Sequence, residues 1–134
     1  MYLGDYEAGE TVPFCWNSND GDGASATRST NGSIKVIRDD NTDCTGTSVT
    51  DSEDAPFGQS LTGVHGCKVN TADNANFIAG HDYFVFLSGA VIDTQTVNRC
   101  LAHFSLENRY AGVSDGADYS SILNRILKAI SLAR

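Results

Sequence analysis

The hydrophobic pattern is densest between Asp82 and Arg109, where two runs rich in aromatic and β-branched residues flank the polar interruption Asp93-Thr94-Gln95. Two such runs joined by a short polar break predict a β-hairpin. The break lacks Asn-Gly or Asp-Gly, so a loop longer than the tightest type is expected. Alternation puts Tyr83, Val85 and Leu87 on one face of the first run and Phe84 and Phe86 on the other. A strand apolar on both faces belongs in the middle of a sheet, covered on both sides. In the second run Cys100, Ala102, Phe104 and Leu106 face one way, and Arg99, His103 and Ser105 the other.

Shorter strands are predicted around this pair. Tyr2–Tyr6 reads as a short edge strand weakened by Gly4. Thr11–Asn17 alternates Val12, Phe14 and Trp16 against Thr11, Pro13 and Cys15. Pro13 cannot donate to a ladder, so this strand lies at an edge or turns that position outward. Trp16, the only tryptophan, reads as a plug in the core. Ser25–Arg28 reads as a short strand, and Ile34–Arg38 as a strand with Ile34 and Val36 opposed to Lys35 and Ile37. Thr45–Thr50 suits a strand by its threonines. Gly63–Thr71 sets His65, Cys67 and Val69 against Val64, Gly66, Lys68 and Asn70. Asn74–Ile78 reads as one helical turn. Residues 17–23, 39–43 and 51–61 are loops by composition.

After Arg109 the texture changes. Residues 111–118 read as a flexible link and Asp118 as the N-cap of a helix running from Tyr119 to about Leu132. Tyr119, Ile122, Leu123, Ile126, Leu127 and Ile130 recur at three- and four-residue spacing and form an apolar stripe. Arg125, Lys128 and Arg134 lie toward its C-terminal end, which suits the helix dipole. A helix this short is marginal alone in water, so the stripe must pack on something. Association with copies of itself or with another protein is favoured over folding back. The division is therefore a β domain over 1–110, a link over 111–118 and an amphipathic helix over 119–134.

Composition narrows the function. A chain of 134 residues with 40% hydrophobic content fits one domain with a modest core that needs no metal or disulfide. Residues 1–110 carry 15 acidic against 6 basic side chains, a balance of -9, while 111–134 carry 2 against 3, a balance of +1. An acidic body argues against binding a phosphate backbone, and its charge is read as a source of solubility. Cys15, Cys44, Cys67 and Cys100 are widely spaced with no Cys-x-x-Cys, which argues against a zinc knuckle. Four free thiols are favoured over a disulfide framework. Cys15 and Cys100 sit in apolar strands and are expected to behave as small buried hydrophobes, with Cys44 exposed in a polar turn. No signal peptide is read, and no apolar run approaches membrane-spanning length.

The residues that carry chemistry elsewhere do not assemble into a motif. Asp20 and Asp22 suggest a calcium loop, but its closing position is Ser29 rather than Glu. Asp51, Glu53 and Asp54 are read as a solvated loop in preference to a metal site, and the acids as lacking surroundings that would raise a pKa. His65, His81 and His103 lack metal spacing. Neither a nucleophile elbow nor a phosphate loop is present. The expectation is a non-enzyme with no catalytic, cofactor or metal residues and no nucleic-acid or membrane partner. The stripe Tyr119, Ile122, Leu123, Ile126, Leu127 and Ile130 is the candidate partner-binding site.

Several stretches, taken in order, resemble a group of small tailed-bacteriophage virion proteins. They are Tyr2-Leu-Gly-Asp-Tyr6, Thr11 to Gly23 with its Asn-Asp-Gly-Asp-Gly-Ala turn, Thr62-Gly-Val-His-Gly66, Phe77-Ile-Ala-Gly-His-Asp-Tyr-Phe-Val85, Ile92-Asp-Thr-Gln-Thr-Val97 and Phe104-Ser-Leu-Glu-Asn-Arg109. The resemblance implies a structural component of the particle, as capsid decoration or head and neck accessory, present in many copies and bound to capsid, connector or tail proteins. It implies a place in the virion, reached through the host cytoplasm during assembly. Gly80-His-Asp-Tyr-Phe-Val85 also resembles the penultimate strand of immunoglobulin-like sandwiches, with Tyr83 as the residue that bonds back to the preceding corner. The expected fold is thus all-β, an immunoglobulin-like antiparallel β-sandwich of about seven to nine strands with a short C-terminal helix. One alternative is a tail or baseplate module that binds a receptor or carbohydrate through loops 17–24, 39–43 and 51–61, where Phe57 is the only aromatic. A further alternative is a cryptic hydrolase in which histidine and carboxylates converge.

Overall fold

The hairpin is the longest feature of the computed structural model, which describes residues 1–46, 48–108, 126, 127, 129 and 130. Seven strands run β1 (Tyr2–Tyr6), β2 (Thr11–Asn17), β3 (Ser33–Arg38), β4 (Val49–Ser52), β5 (Val64–Asn70), β6 (His81–Ile92) and β7 (Gln95–Leu106). They make a four-stranded sheet of order β1-β7-β6-β3 and a three-stranded sheet of order β2-β5-β4. All neighbours are antiparallel except β1, which runs parallel to β7. The chain is all-β over these strands, in two open sheets that share one core.

The hairpin turn is tighter than the sequence predicts. Ile92 pairs directly with Gln95, leaving only Asp93 and Thr94 in the turn. Both have positive φ, 48° and 64°, the backbone of the two-residue primed turns whose twist matches that of the flanking strands. The Asp93 carboxylate accepts the Gly21 N–H at 3.1 Å, so a neighbouring loop helps hold a conformation its own residues do not favour.

Alternation assigns the inner faces correctly over most of the chain. Val12, Phe14 and Trp16 of β2, Ile34 and Val36 of β3, Cys67 and Val69 of β5, and Tyr83, Val85 and Leu87 of β6 are all buried. Tyr83 stacks on Phe104 of β7 with ring centroids 5.3 Å apart and planes inclined by 12°. The Tyr83 hydroxyl accepts the Ile78 N–H at 2.7 Å and has the Ile78 carbonyl 2.9 Å away as an acceptor. This fixes the corner that leads into β6. Asn74–Ile78 is a hydrogen-bonded turn and not a helical one.

Alternation fails where β7 is irregular. Val85 pairs with Ala102 but Phe86 pairs with Cys100, so Leu101 is an inserted residue. A bulge of this kind turns the strand locally. Leu101 enters the core, and Cys100 stands outside instead of beside Ala102. The expected environments of three thiols are reversed: Cys15 and Cys100 are exposed and Cys44 is buried, while Cys67 is buried on the inner face of β5. Cys15 lies outward because Phe14 and Trp16 take the inner face. Cys44 is buried because residues 42–45 fold over the free edge of β3, where the Cys44 N–H donates to the Val36 carbonyl at 2.8 Å. Covering an edge in this way prevents further strand pairing there. All four cysteines are free thiols.

Two short strands are displaced from expectation. Ser25–Arg28 is irregular, with only an isolated bridge from Asn19 to Ser25, and the strand expected over Thr45–Thr50 is Val49–Ser52. The link over 111–118, together with Tyr119, Ile122 and Leu123, lies outside the described residues. Ile126, Leu127, Ala129 and Ile130 are helical and exposed.

Candidate functional site

The acidic stretch expected to be a solvated loop is instead built into one end of the core. Asp51 and Glu53 are two residues apart on and just beyond β4, so both project toward the core side. There they meet Arg28, whose side chain is completely buried. The Arg28 backbone N–H donates to Glu53 Oε1 at 2.9 Å, and its Nε–H donates to Glu53 Oε2. Nη1 donates to the Asn31 carbonyl at 2.9 Å and Nη2 to Asp51 Oδ1 at 3.1 Å. Charge-assisted bonds of this type are the strong ones. The guanidinium carbon lies 4.8 Å from the Trp16 ring centroid, in cation–π range. The Trp16 Nε1–H has no acceptor among the described residues, so its ring faces rather than its N–H hold it in place.

His65, on β5 opposite Trp16, completes the group. It is fully buried. Its Nε2 is 2.6 Å from Ser18 Oγ, and its Nδ1 is 3.1 Å from Glu53 Oε2. Serine, histidine and glutamate in a line reproduce the spacing of a hydrolase triad. The chemistry does not follow, because Ser18 is also fully buried and its hydroxyl donates to the Ala26 carbonyl. His65 Nδ1 meets the Asp54 N–H at 3.3 Å as well as the Glu53 carboxylate, so both ring nitrogens are engaged inside the cluster. Ser18 and His65 are both enclosed, and the hydroxyl proton is held by the Ala26 carbonyl.

Glu53, Asp54 and His65 also offer ligand atoms within 4.8 Å of one another. Here the guanidinium already fills the place of a cation at Glu53 Oε2, while Oε1 is taken by the Arg28 backbone N–H. Asp54 is likewise occupied, accepting Thr27 Oγ1–H and the Gly63 N–H. These bonds, the one from Thr27 foremost, hold the Asp54 carboxyl below its ordinary pKa. The arrangement is a structural lock that ties segment 18–31 to β4 and β5.

Burial keeps the His65 pKa below its ordinary value of 6.5. Arg28 acts in the same direction, against the pull of Glu53 and Asp54. The folded state thus favours neutral imidazole. Between the folded and unfolded pKa values the unfolded chain binds more protons, so stability is present above pH about 6.5 and declines as pH falls through the folded value. Thermal unfolding followed from pH 8 to 5 is expected to show this decline, and His65→Gln to flatten it. The carboxylates with lowered pKa (Asp39, Asp40, Asp43 and Asp54) act at lower pH, below 3.8.

The other two histidines are not near this group. His81 Nδ1 is 2.7 Å from Asp39 Oδ1. His103 belongs to a ladder of rings on the outer face of the four-stranded sheet: Tyr2–His103 at 4.6 Å, His103–Phe84 at 5.5 Å and Phe84–Phe86 at 6.5 Å. Tyr2 donates to the Asp5 carboxylate, and that bond with further acids nearby pushes its hydroxyl pKa up to about 12. β6 is central within its sheet, but its outer face is uncovered by the described residues: Phe86 is 37% and Tyr2 50% exposed.

Sequence reasoning missed Arg28. Asp51 and Glu53 carry the signal, two acids at strand spacing, but it shows only once β4 is placed at Val49–Ser52. Of the predicted stripe, Ile126, Leu127 and Ile130 are brought to the surface of helical residues. Among the described residues, no helix is long and apolar enough to cross a membrane. These features define a mostly β protein whose most elaborate side-chain cluster is built around a buried arginine and histidine and whose aromatic surface is open to solvent. No family model, curated protein or solved structure matches the chain.

Proposed function

We propose that this chain is a non-enzymatic structural component of a tailed-bacteriophage particle, a decoration or head and neck accessory that binds capsid, connector or tail proteins in repeated copies. The observation that carries the reading is the uncovered ladder Tyr2–His103–Phe84–Phe86 on a rigid sheet. Apolar surface of that kind marks contact with another protein. It is joined by the exposed Ile126, Leu127 and Ile130, part of a stripe that needs a partner. The resemblance of the ordered sequence stretches supplies the kind of particle.

The finer reading of the fold is an immunoglobulin-like sandwich followed by a C-terminal helix over 119–134. Its support is topological. With β2 to β7 taken as strands B to G, the sheets are B-E-D and C-F-G, the constant-type arrangement. In this scheme β1 joins the last strand in parallel. Tyr83 near the start of β6 bonds back to the preceding corner, as the tyrosine of such domains does. The inter-sheet disulfide and the tryptophan on the third strand have no counterpart here: the cysteines are free and Trp16 lies on β2.

Deleting residues 117–134 tests the assignment. Among the described residues, the core cluster lies between Val12 and Leu106, so the truncated chain is expected to keep its circular-dichroism spectrum and cooperative melting while losing assembly into particles. Full occupancy of the truncated chain in purified particles removes the docking role from the helix.

A further inference from the structure

The outer face of the three-stranded sheet carries a cavity of about 490 Å³ that none of the contacts above uses. Strand register builds its floor. Thr50 pairs with Lys68 and Ser52 with Gly66 across β4 and β5, which sets two hydroxyls and an ammonium side by side on the face opposite His65. The wall is the turn Pro56–Gly58. This turn lies against the sheet because residue 66 is glycine: a Cβ there would stand 2.9 Å from Pro56 Cα.

Phe57 at the tip of the turn has φ 48° and ψ 42°, a left-handed conformation that bulky side chains avoid. The residue is 48% exposed, so burial does not account for the strain. Strained backbone that presents an exposed side chain points to a functional position. Lys68 Nζ lies 5.5 Å from the ring centroid and makes no ion pair among the described residues. The turn is fastened from behind by the buried lock, through Glu53 to Arg28 and Asp54 to Thr27 and Gly63. An aromatic wall, two hydroxyls and a cation with no counter-ion thus face one open space, on a chain whose net charge is -8.

We infer that this cavity binds a carboxylate-bearing sugar, with its apolar face against Phe57, its hydroxyls at Thr50 and Ser52 and its carboxylate at Lys68. An acidic peptide is the poorer fit. The floor is the face of the sheet between β4 and β5, whose backbones bond to each other, and the open edge of β4 lies to its side, so a chain laid over this floor has no strand to pair with. This binding does not rest on the assembly role, and either stands if the other fails.

The test is a titration of the full-length chain with glucuronic acid, glucose, acetate and a poly-glutamate peptide, followed by amide shifts of Phe57, Gly58, Gly66 and Lys68. Glucuronic acid is expected to bind about tenfold tighter than glucose, the effect of one charge-assisted contact. Lys68→Met is expected to erase that difference. Phe57→Gly is expected to abolish binding of both sugars while leaving the melting temperature unchanged or higher, because glycine adopts this φ without strain. Equal affinity for the two sugars in the unaltered chain overturns the proposal. So does acetate or the peptide matching glucuronic acid, or the absence of shifts at these amides.

Discussion

Replacing Arg28 by alanine is expected to lower the unfolding free energy by about 3–5 kcal/mol, the range for breaking a buried ion pair from one side. The side chain is wholly enclosed, while Asp51 and Glu53 keep 24% and 21% exposure. Removing the cation leaves two carboxylates facing each other and His65 across a space that water reaches only at its rim. It also takes away the group stacked on Trp16. Urea denaturation monitored by Trp16 fluorescence measures the loss. Arg28→Met combined with Asp51→Asn and Glu53→Gln is expected to recover most of it, since no charge is then left unpaired. A loss below about 1 kcal/mol for Arg28→Ala, the scale of an exposed pair, contradicts the reading of these residues as a lock.

A loss of similar size, about 3–5 kcal/mol, is expected for Phe104→Ala. Phe104 is fully buried, stacks on Tyr83 and receives the edge of Tyr6 at 6.2 Å. The cavity left behind lies between neighbours held by the paired strands β6 and β7, where little collapse is available. Tyr83→Phe separates packing from hydrogen bonding at the same place. It keeps the stack but orphans the Ile78 N–H, and a loss of about 1–3 kcal/mol is expected. Guanidinium unfolding curves for both variants check these values. An equal loss in the two would mean that the hydroxyl, and not the ring stack, sets stability there.

What was legible in the sequence follows from how local each signal is. Period-two alternation found β2, β3, β5 and β6 with their inner faces, because a strand with one buried face must show that pattern. The bulge at Leu101 was illegible, since an inserted apolar residue in an apolar run leaves the pattern intact while reversing the faces beyond it. The tight hairpin turn was hidden for a different reason. Asp93-Thr94 is a poor intrinsic turn pair, and the bond from Gly21, far off in sequence, supports it. The lock around Arg28 depends on contacts between residues about 25 positions apart, and nothing in a charge count distinguishes such an arginine from a solvated one. The cavity beside Phe57 was half visible: the aromatic residue stood out in its loop, but the hydroxyls and Lys68 join it only through the register of β4 on β5.

Function was the least legible, because contact surfaces have no motif. The ladder Tyr2–His103–Phe84–Phe86 draws on three strands and reads in sequence as ordinary core alternation. Its exposure appears only when the sheet is seen with none of the described residues over it.

Electron cryomicroscopy of purified particles, at a resolution that shows strands, tests the central claim most directly. The account predicts repeated copies of this two-sheet domain seated on the particle, with the Phe84–Phe86 face or the stripe around Ile126 buried against a neighbour. Particles that lack the chain altogether, or copies that touch the particle through neither surface, contradict it.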